Sequence, residues 1–405
     1  MLDFGKIRFA CERSSTLIGR LVDNILLNFG AKEEHLADEF IRRLGDYEEI
    51  LEKMPEEWPE HLVFQYITFR LFQEGGLASK YLNHVKVRSR SPRELEYLKF
   101  QIKHPWRFVF CVIEESPKQD FFLMRDVLSG ERFLLFSEGI EEIERASGPM
   151  SLYFLLIFYN GECWQTYGNL AYLKAIQPFD VVFFARQLKR SPVSVREIPE
   201  LIAADPLPFM LLWLYGELPM VLHKRDMIVL VGVEFKPAQF NIKKMEKNFA
   251  VEAKPPVYKF SLKYWHKMPH FCSCYYHAEK KSLLVTAGTE RGFQKIVQVL
   301  ADLGYCPPQE PDYRATPLMF TAAREILKRD IEHDPYGKLF TKDPPSEVKG
   351  IIAKFNVFLR SLMDALNSGV DYDLQALADE AGIELETAMA LEEKILKKMR
   401  ENGLN

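Results

Sequence analysis

A chain of 405 residues, 47% hydrophobic and 13% aromatic, has enough apolar material for large cores and is not a globally disordered polymer. Its formal net charge of −4 excludes a protein coated in basic residues, and six scattered cysteines suit reduced, buried thiols better than a disulfide framework. No run approaches the roughly 18 apolar residues of a membrane span, and the N-terminus lacks an apolar signal-peptide core. A cytoplasmic protein is therefore expected.

Residues 1–104 read as a helical domain. Ile18, Leu21, Val22, Ile25 and Phe29 recur at helical spacing, with Gly30 as a stop. Leu36, Ala37, Phe40, Ile41 and Leu44 repeat the pattern up to Gly45. The helix after Pro59 is apolar on nearly all sides (Leu62, Val63, Tyr66, Ile67, Phe69), which predicts a central place in a bundle. Ser91-Pro92-Arg93-Glu94 opens another helix with the capping-box pattern and Pro in the first turn.

Residues 105–190 read as β-rich and barrel-like. Trp106 to Glu115 is a strand; Phe121–Val127 and Glu131–Phe136 form a hairpin reversing at Ser129-Gly130. Ile140–Ala146 is a short inserted helix. Ser151–Tyr159 and Cys163–Thr166 flank Asn160-Gly161, the strongest hairpin signal in the chain. Phe179–Arg186 (FDVVFFAR) reads as a further strand.

Residues 191–312 read as α+β. Ser191–Tyr215 is helical in part, and Met220–Phe235 is a hairpin turning at His223–Asp226. Strands follow at Val257–Trp265, Phe271–Tyr276 and Ser282–Thr286, then a helix over Thr289–Leu303. Residues 313–405 read as a helical tail. It holds a linker at His333–Pro345, a long amphipathic helix over Ser346–Leu366, and a helix pair bent at Gly382. The fold class is thus α+β: an N-terminal helical domain, a central β-rich barrel-like and α+β core, and a C-terminal helical tail.

The last helix pair has the outline of a helix-turn-helix, with Ala378, Ala388 and Leu391 on the packed face. Glu384 and Glu386 begin its second helix, where a DNA reader would meet phosphates, so packing or a protein partner fits better. The stretch His266–His277 (HKMPHFCSCYYH) holds the residue types zinc prefers, and on a strand His270, Cys272 and Cys274 would share one face. The Cys-x-Cys spacing is too short for a familiar zinc pair, and a half-buried strand explains it as well; no metal or other cofactor is assigned.

Two basic stretches carry a nucleic-acid reading. The first holds Lys80, Lys86, Arg88, Arg90, Arg93, Lys99, Lys103 and Arg107. The second holds Lys243, Lys244, Lys247, Lys254, Lys259, Lys263 and Lys267, interleaved with aromatics that include Tyr264 and Trp265. Lysines for phosphates with aromatics for stacking suit a single strand, although a solvated strand face looks the same. An acidic run from Glu33 to Glu60, including Glu48, Glu56 and Glu57, reads as the wet side of the helical domain. No phosphate-cradling loop, nucleophile elbow, HExxH or CxxC occurs, so no motif specifies a reaction.

Two stretches, LMRDVLSGERFLLFSEG (123–139) and SLLVTAGTERGFQKIVQVLADLG (282–304), resemble the uncharacterised core of bacterial proteins that end in a SEC-C metal-binding tail. The resemblance covers about residues 106–305 and implies a bacterial, cytoplasmic protein. No cysteine follows Cys306, so the relatives' metal site does not carry over. The leading expectation is a non-catalytic protein-interaction or regulatory module. The alternatives are a nucleic-acid-binding protein using stretches 80–107 and 243–267, and an unrecognised metal-assisted enzyme.

Overall fold

The computed structural model describes residues 2–52, 58–147, 152–189, 193–216, 218, 220–223, 226–340, 346–368 and 372–401. Glu56, Glu57, Ser151, Ser191 and residues 341–345 of the expected linker lie outside them. The chain is α+β and gathers into two compact units, residues 1–336 and 337–405.

The first unit begins with α1 (Phe4–Ile18), earlier than the apolar spacing indicates, because the Asp3 side chain accepts from the Gly5 and Lys6 N–H groups and caps it. The winding runs on in wider π geometry through Gly19–Gly30 and into Ala31–Glu33, so Gly30 is not a stop. Next come α2 (Leu36–Gly45), α3 (Trp58–Phe72) and α4 (Pro92–Lys103), the last opened by the reciprocal Ser91–Glu94 capping box.

Strands β1 (Arg107–Lys118), β2 (Phe121–Asp126), β3 (Arg132–Phe136), β4 (Leu152–Tyr159) and β5 (Trp164–Thr166) form a five-stranded barrel. It closes in the order β1-β2-β3-β5-β4 and back to β1, with β6 (Ala171–Leu173) added along β4. Only β3–β5 is parallel. The period-2 pattern explains why LYFLLIFY is apolar throughout. Tyr153, Leu155 and Ile157 join the barrel interior with Val109, Cys111, Met124 and Leu135. Leu152, Phe154, Leu156 and Phe158 face the helices. Gly130 and Gly161 carry the positive φ that their turns require.

FDVVFFAR is not a strand. It lies in α5 (Pro178–Lys189), where Pro178 and Asp180 sit in the first turn. The helix packs with the bent helical stretch Ile198–Tyr215 and with α7 below, and that tertiary burial overrides the β preference of its aromatic and β-branched residues. The hairpin expected over Met220–Phe235 is only a two-residue ladder, β7 (Leu222–His223) with β8 (Asp226–Met227). β9 (Leu230–Phe235) leaves it for a second sheet.

That sheet runs β10-β11-β12-β13-β9-β14 and is antiparallel throughout. Its other members are β10 (Phe249–Lys254), β11 (Val257–Leu262), β12 (Ser273–His277), β13 (Ser282–Ala287) and β14 (Tyr313–Ala315). Helix α6 (Glu290–Asp302), capped by Thr289, lays Phe293, Ile296, Val297 and Leu300 on one face of it. Helix α7 (Pro317–Leu327) returns to the barrel-side core.

The second unit packs α8 (Ser346–Ser368), α9 (Leu374–Ala381) and α10 (Leu385–Glu401) around Phe358, Leu362, Ala378 and Ala388. Gly382, at φ +65°, turns α9 into α10.

Candidate functional site

Helix α3 buries eight of its 15 residues, in line with its apolar composition, and leaves one face partly open. Leu62, Tyr66 and Phe69 are buried in the core. Glu60, Val63, Phe64 and Ile67, at i, i+3, i+4 and i+7, turn the adjoining face toward an open groove of about 830 Å³. The opposite wall comes from Asp23 and Leu27 of the π-wound segment, from Ile41 and Leu44 of α2, and from Glu48 and Leu51 of the turn after it. Ile41, expected to point inward, is 56% exposed, and Phe64 is 38% exposed.

The Phe64 ring stacks on Tyr167 at 5.6 Å between centroids. The Tyr167 hydroxyl donates to Asp23 Oδ1 at 2.6 Å, and burial together with that carboxylate pushes the hydroxyl above its ordinary range. Gln65 Nε2 donates to the Asn169 carbonyl at 2.6 Å, tying the helix to the barrel loop beneath. The groove wall is thus fixed to the barrel.

Among the described residues, the ionisable groups lining this groove are all acidic: Asp23, Glu48 and Glu60. Its volume falls within the ~300–1,000 Å³ of typical ligand sites. An apolar trough rimmed by carboxylates favours an occupant with apolar side chains and positive charge. The sequence places Glu48 and Glu60 on a wet helical surface and does not single out Asp23; the apolar side of α3 is the one signal that points to the groove.

Of the residues singled out for nucleic acid, some are exposed and others are engaged. Lys86 and Arg88 lie on the short helix Val85–Arg88; Arg90, Arg93, Lys99 and Lys103 are exposed on and before α4. Arg107 is committed to Glu131 at 2.7 Å and lies 4.6 Å over the Trp164 ring. Lys259 sits 3.8 Å from Glu252, and Lys263 Nζ donates to the Glu246 carbonyl at 2.9 Å. Trp265 packs on His270, whereas Tyr264 is 95% exposed at φ +68°. Arg93 lines a second groove, of about 480 Å³, with Phe9, Arg13, Tyr97 and Phe100; no residue of the second basic stretch lines it.

The His266–Cys274 residues do not share a strand face. β12 begins only at Ser273, and Phe271, at φ +44°, breaks the alternation. His270 Nδ1 is paired with Thr289 Oγ1 at 2.7 Å. Cys272 donates to the Gly292 carbonyl, and burial pushes its thiol up to about 12. Cys274 is in the core, and the His277 ring lies against Tyr336. Among the described residues, no three His, Cys, Asp or Glu side chains converge as a metal site.

No single described helix is long and apolar enough to cross a membrane; the bent pair Val195–Ala204 and Leu207–Tyr215 contributes to the core. The class defined here is an α+β protein with a closed five-stranded barrel and an acidic apolar groove in its helical layer. Compared with protein-family models, curated proteins and solved structures, the chain matches none.

Proposed function

We propose that this chain is a protein-interaction module whose groove between α2 and α3 takes an amphipathic, basic helical segment of a partner. The observation that carries this reading is the pairing of exposed apolar side chains, Ile41 and Phe64, with a lining whose described ionisable groups are acidic. A partner helix would lay leucine-like anchors into the trough and present lysine or arginine to Asp23, Glu48 and Glu60. The two stretches that resemble SEC-C-motif proteins are scaffold, the β2–β3 hairpin and the β13–α6 unit, and add nothing to the groove lining.

The test is fluorescence anisotropy with a leucine–lysine amphipathic peptide of about 18 residues, long enough to hold helical structure. Saturable binding that weakens with salt is expected. Ile41→Asp should cost about 1.4 kcal/mol or more, a tenfold loss of affinity, and Glu48→Lys should weaken binding while flattening its salt dependence. Equal binding to wild type and Ile41→Asp, or none, would sink the reading.

A second reading, single-stranded nucleic acid, is favoured by one observation. Tyr264 offers an almost fully exposed ring between Lys263 and Lys267. A labelled oligothymidine that binds wild type and loses affinity with Tyr264→Ala would support it; no shift at low salt would remove it.

A further inference from the structure

Cys11 and Cys163 are 152 residues apart in sequence, yet their sulfurs lie 3.5 Å from each other beneath α1. Both are buried. They belong to a small cluster with Ile7, Phe121 and Phe136 that docks α1 onto the barrel. One side chain addresses both sulfurs. Asn160 Nδ2 lies 3.2 Å from Cys11 Sγ and 3.6 Å from Cys163 Sγ, and donates to Gln165 Oε1 at 2.8 Å. Asn160 is itself held by its turn, since its Oδ1 accepts from the Glu162 and Cys163 N–H groups at 2.9 Å each. Gln165 Nε2 in turn reaches the Cys11 carbonyl at 3.3 Å, so the sulfur-facing amides are anchored to both elements.

This is a different arrangement from the other buried thiols. Cys111 lies inside the barrel and Cys274 inside the second sheet, both packed among apolar side chains. At Cys11, the hydrogen bond from the Cys163 thiol and the one from the Asn160 amide stabilise the thiolate against the opposing effect of burial, with help from the Arg8 guanidinium. Cys163 is shifted the opposite way, chiefly by its bond to Cys11. A disulfide spans ~2.05 Å, so the sulfurs need to close by only about 1.5 Å.

A groove lies beside the pair, though neither cysteine lines it. The groove of about 480 Å³ between α1 and α4 is walled by Ala10, Asn160 and Glu162, the immediate neighbours of the two cysteines, and carries Lys6, Arg13 and Arg93. Lys6 is paired with Glu162 at 2.7 Å, so Arg13 and Arg93, beside Glu96, are the cations that a small anionic thiol compound would meet there.

We propose that Cys11 and Cys163 are a redox-active dithiol that small disulfides of the glutathione type oxidise to an internal disulfide, stapling α1 to the barrel. Cys11, as thiolate, attacks one sulfur of the small disulfide; that S–S bond breaks and one small thiolate leaves. Cys163 then loses its proton and attacks the Cys11 sulfur of the mixed disulfide, and the second small thiolate leaves. Two protein thiols become one protein disulfide, one small disulfide becomes two small thiols, and the two protons end on those thiols. The inference is independent of the groove reading above.

The test uses the full chain carrying Cys306→Ser, which removes the one exposed thiol. Native protein is equilibrated in glutathione buffers of increasing oxidised fraction, acid-quenched, unfolded, alkylated and mapped by mass spectrometry. The expected result is a Cys11–Cys163-linked peptide two hydrogens lighter than the reduced pair. Both alkylation sites are lost together, while Cys111, Cys272 and Cys274 alkylate fully. Adding Cys163→Ser should trap a glutathione adduct on Cys11, because the second displacement is gone. Full alkylation of Cys11 and Cys163 in the most oxidising buffer would overturn the proposal. So would a link that forms only in denaturant, or no adduct at Cys11 in the Cys163→Ser protein.

Discussion

Removing one buried carboxyl should separate two contributions to the stability of the first unit. Asp180 is fully buried in the first turn of α5. Its Oδ2 accepts from the Gln177 N–H at 2.8 Å and its Oδ1 from the Thr316 N–H at 2.7 Å. The Thr316 hydroxyl, 3.2 Å from Oδ1, also accepts from the Met319 N–H and caps α7. One side chain therefore holds the starts of two helices 136 residues apart. Asp180→Ala leaves the buried Thr316 N–H and the part-buried Gln177 N–H without acceptors, at up to about 1–3 kcal/mol each, so a loss of roughly 1–6 kcal/mol is expected.

The same group makes that loss depend on pH. Burial pushes the carboxyl up to about 7, against the pull of the Gln177 and Thr316 N–H donors. The folded value lies above the ordinary 3.8, so the native state holds the proton more tightly than the unfolded chain. Its contribution is fully present below about 3.8 and is lost as pH rises through about 7. At 1.36 kcal/mol per pH unit, wild type should lose up to ~2.7 kcal/mol between pH 5 and pH 8 that the alanine variant does not. Urea unfolding followed by tryptophan fluorescence reads this unit, because all five tryptophans lie within residues 1–336. A wild-type-minus-variant difference that is below ~1 kcal/mol at pH 5, or equal at the two pH values, would refute the reasoning.

Two further outcomes are expected. Gly232→Ala puts a Cβ against the Tyr313 ring, which lies across β9 from β14; overpacking of ~1–3 kcal/mol should lower the urea midpoint with little change in slope. Phe358→Ala empties the centre of the three-helix unit, where Phe358 and Leu362 are fully buried. A cost of ~3–5 kcal/mol in so small a core should unfold it, seen as lost helical circular dichroism.

Local chemistry foretold much of the scaffold. Asn160-Gly161 and Ser129-Gly130 turn where their positive-φ glycines indicate, Ser91–Glu94 caps α4, and Gly382 bends the last helix pair. The misreadings share a cause. FDVVFFAR has strand-like residues, and only its burial among other helices, with Asp180 reaching Thr316, makes it helical. β10 and β14 escaped notice because strands at the two edges of a sheet need little apolar alternation of their own.

Residue order alone settled which segments turn, cap and alternate, since those choices depend on neighbours within a few positions. Three things were decided only by the folded chain: β4 closing on β1, Ile41 and Phe64 facing an acidic trough, and Cys11 meeting Cys163. Each depends on side chains from segments far apart in sequence, and no local pattern records which distant segments will pack together.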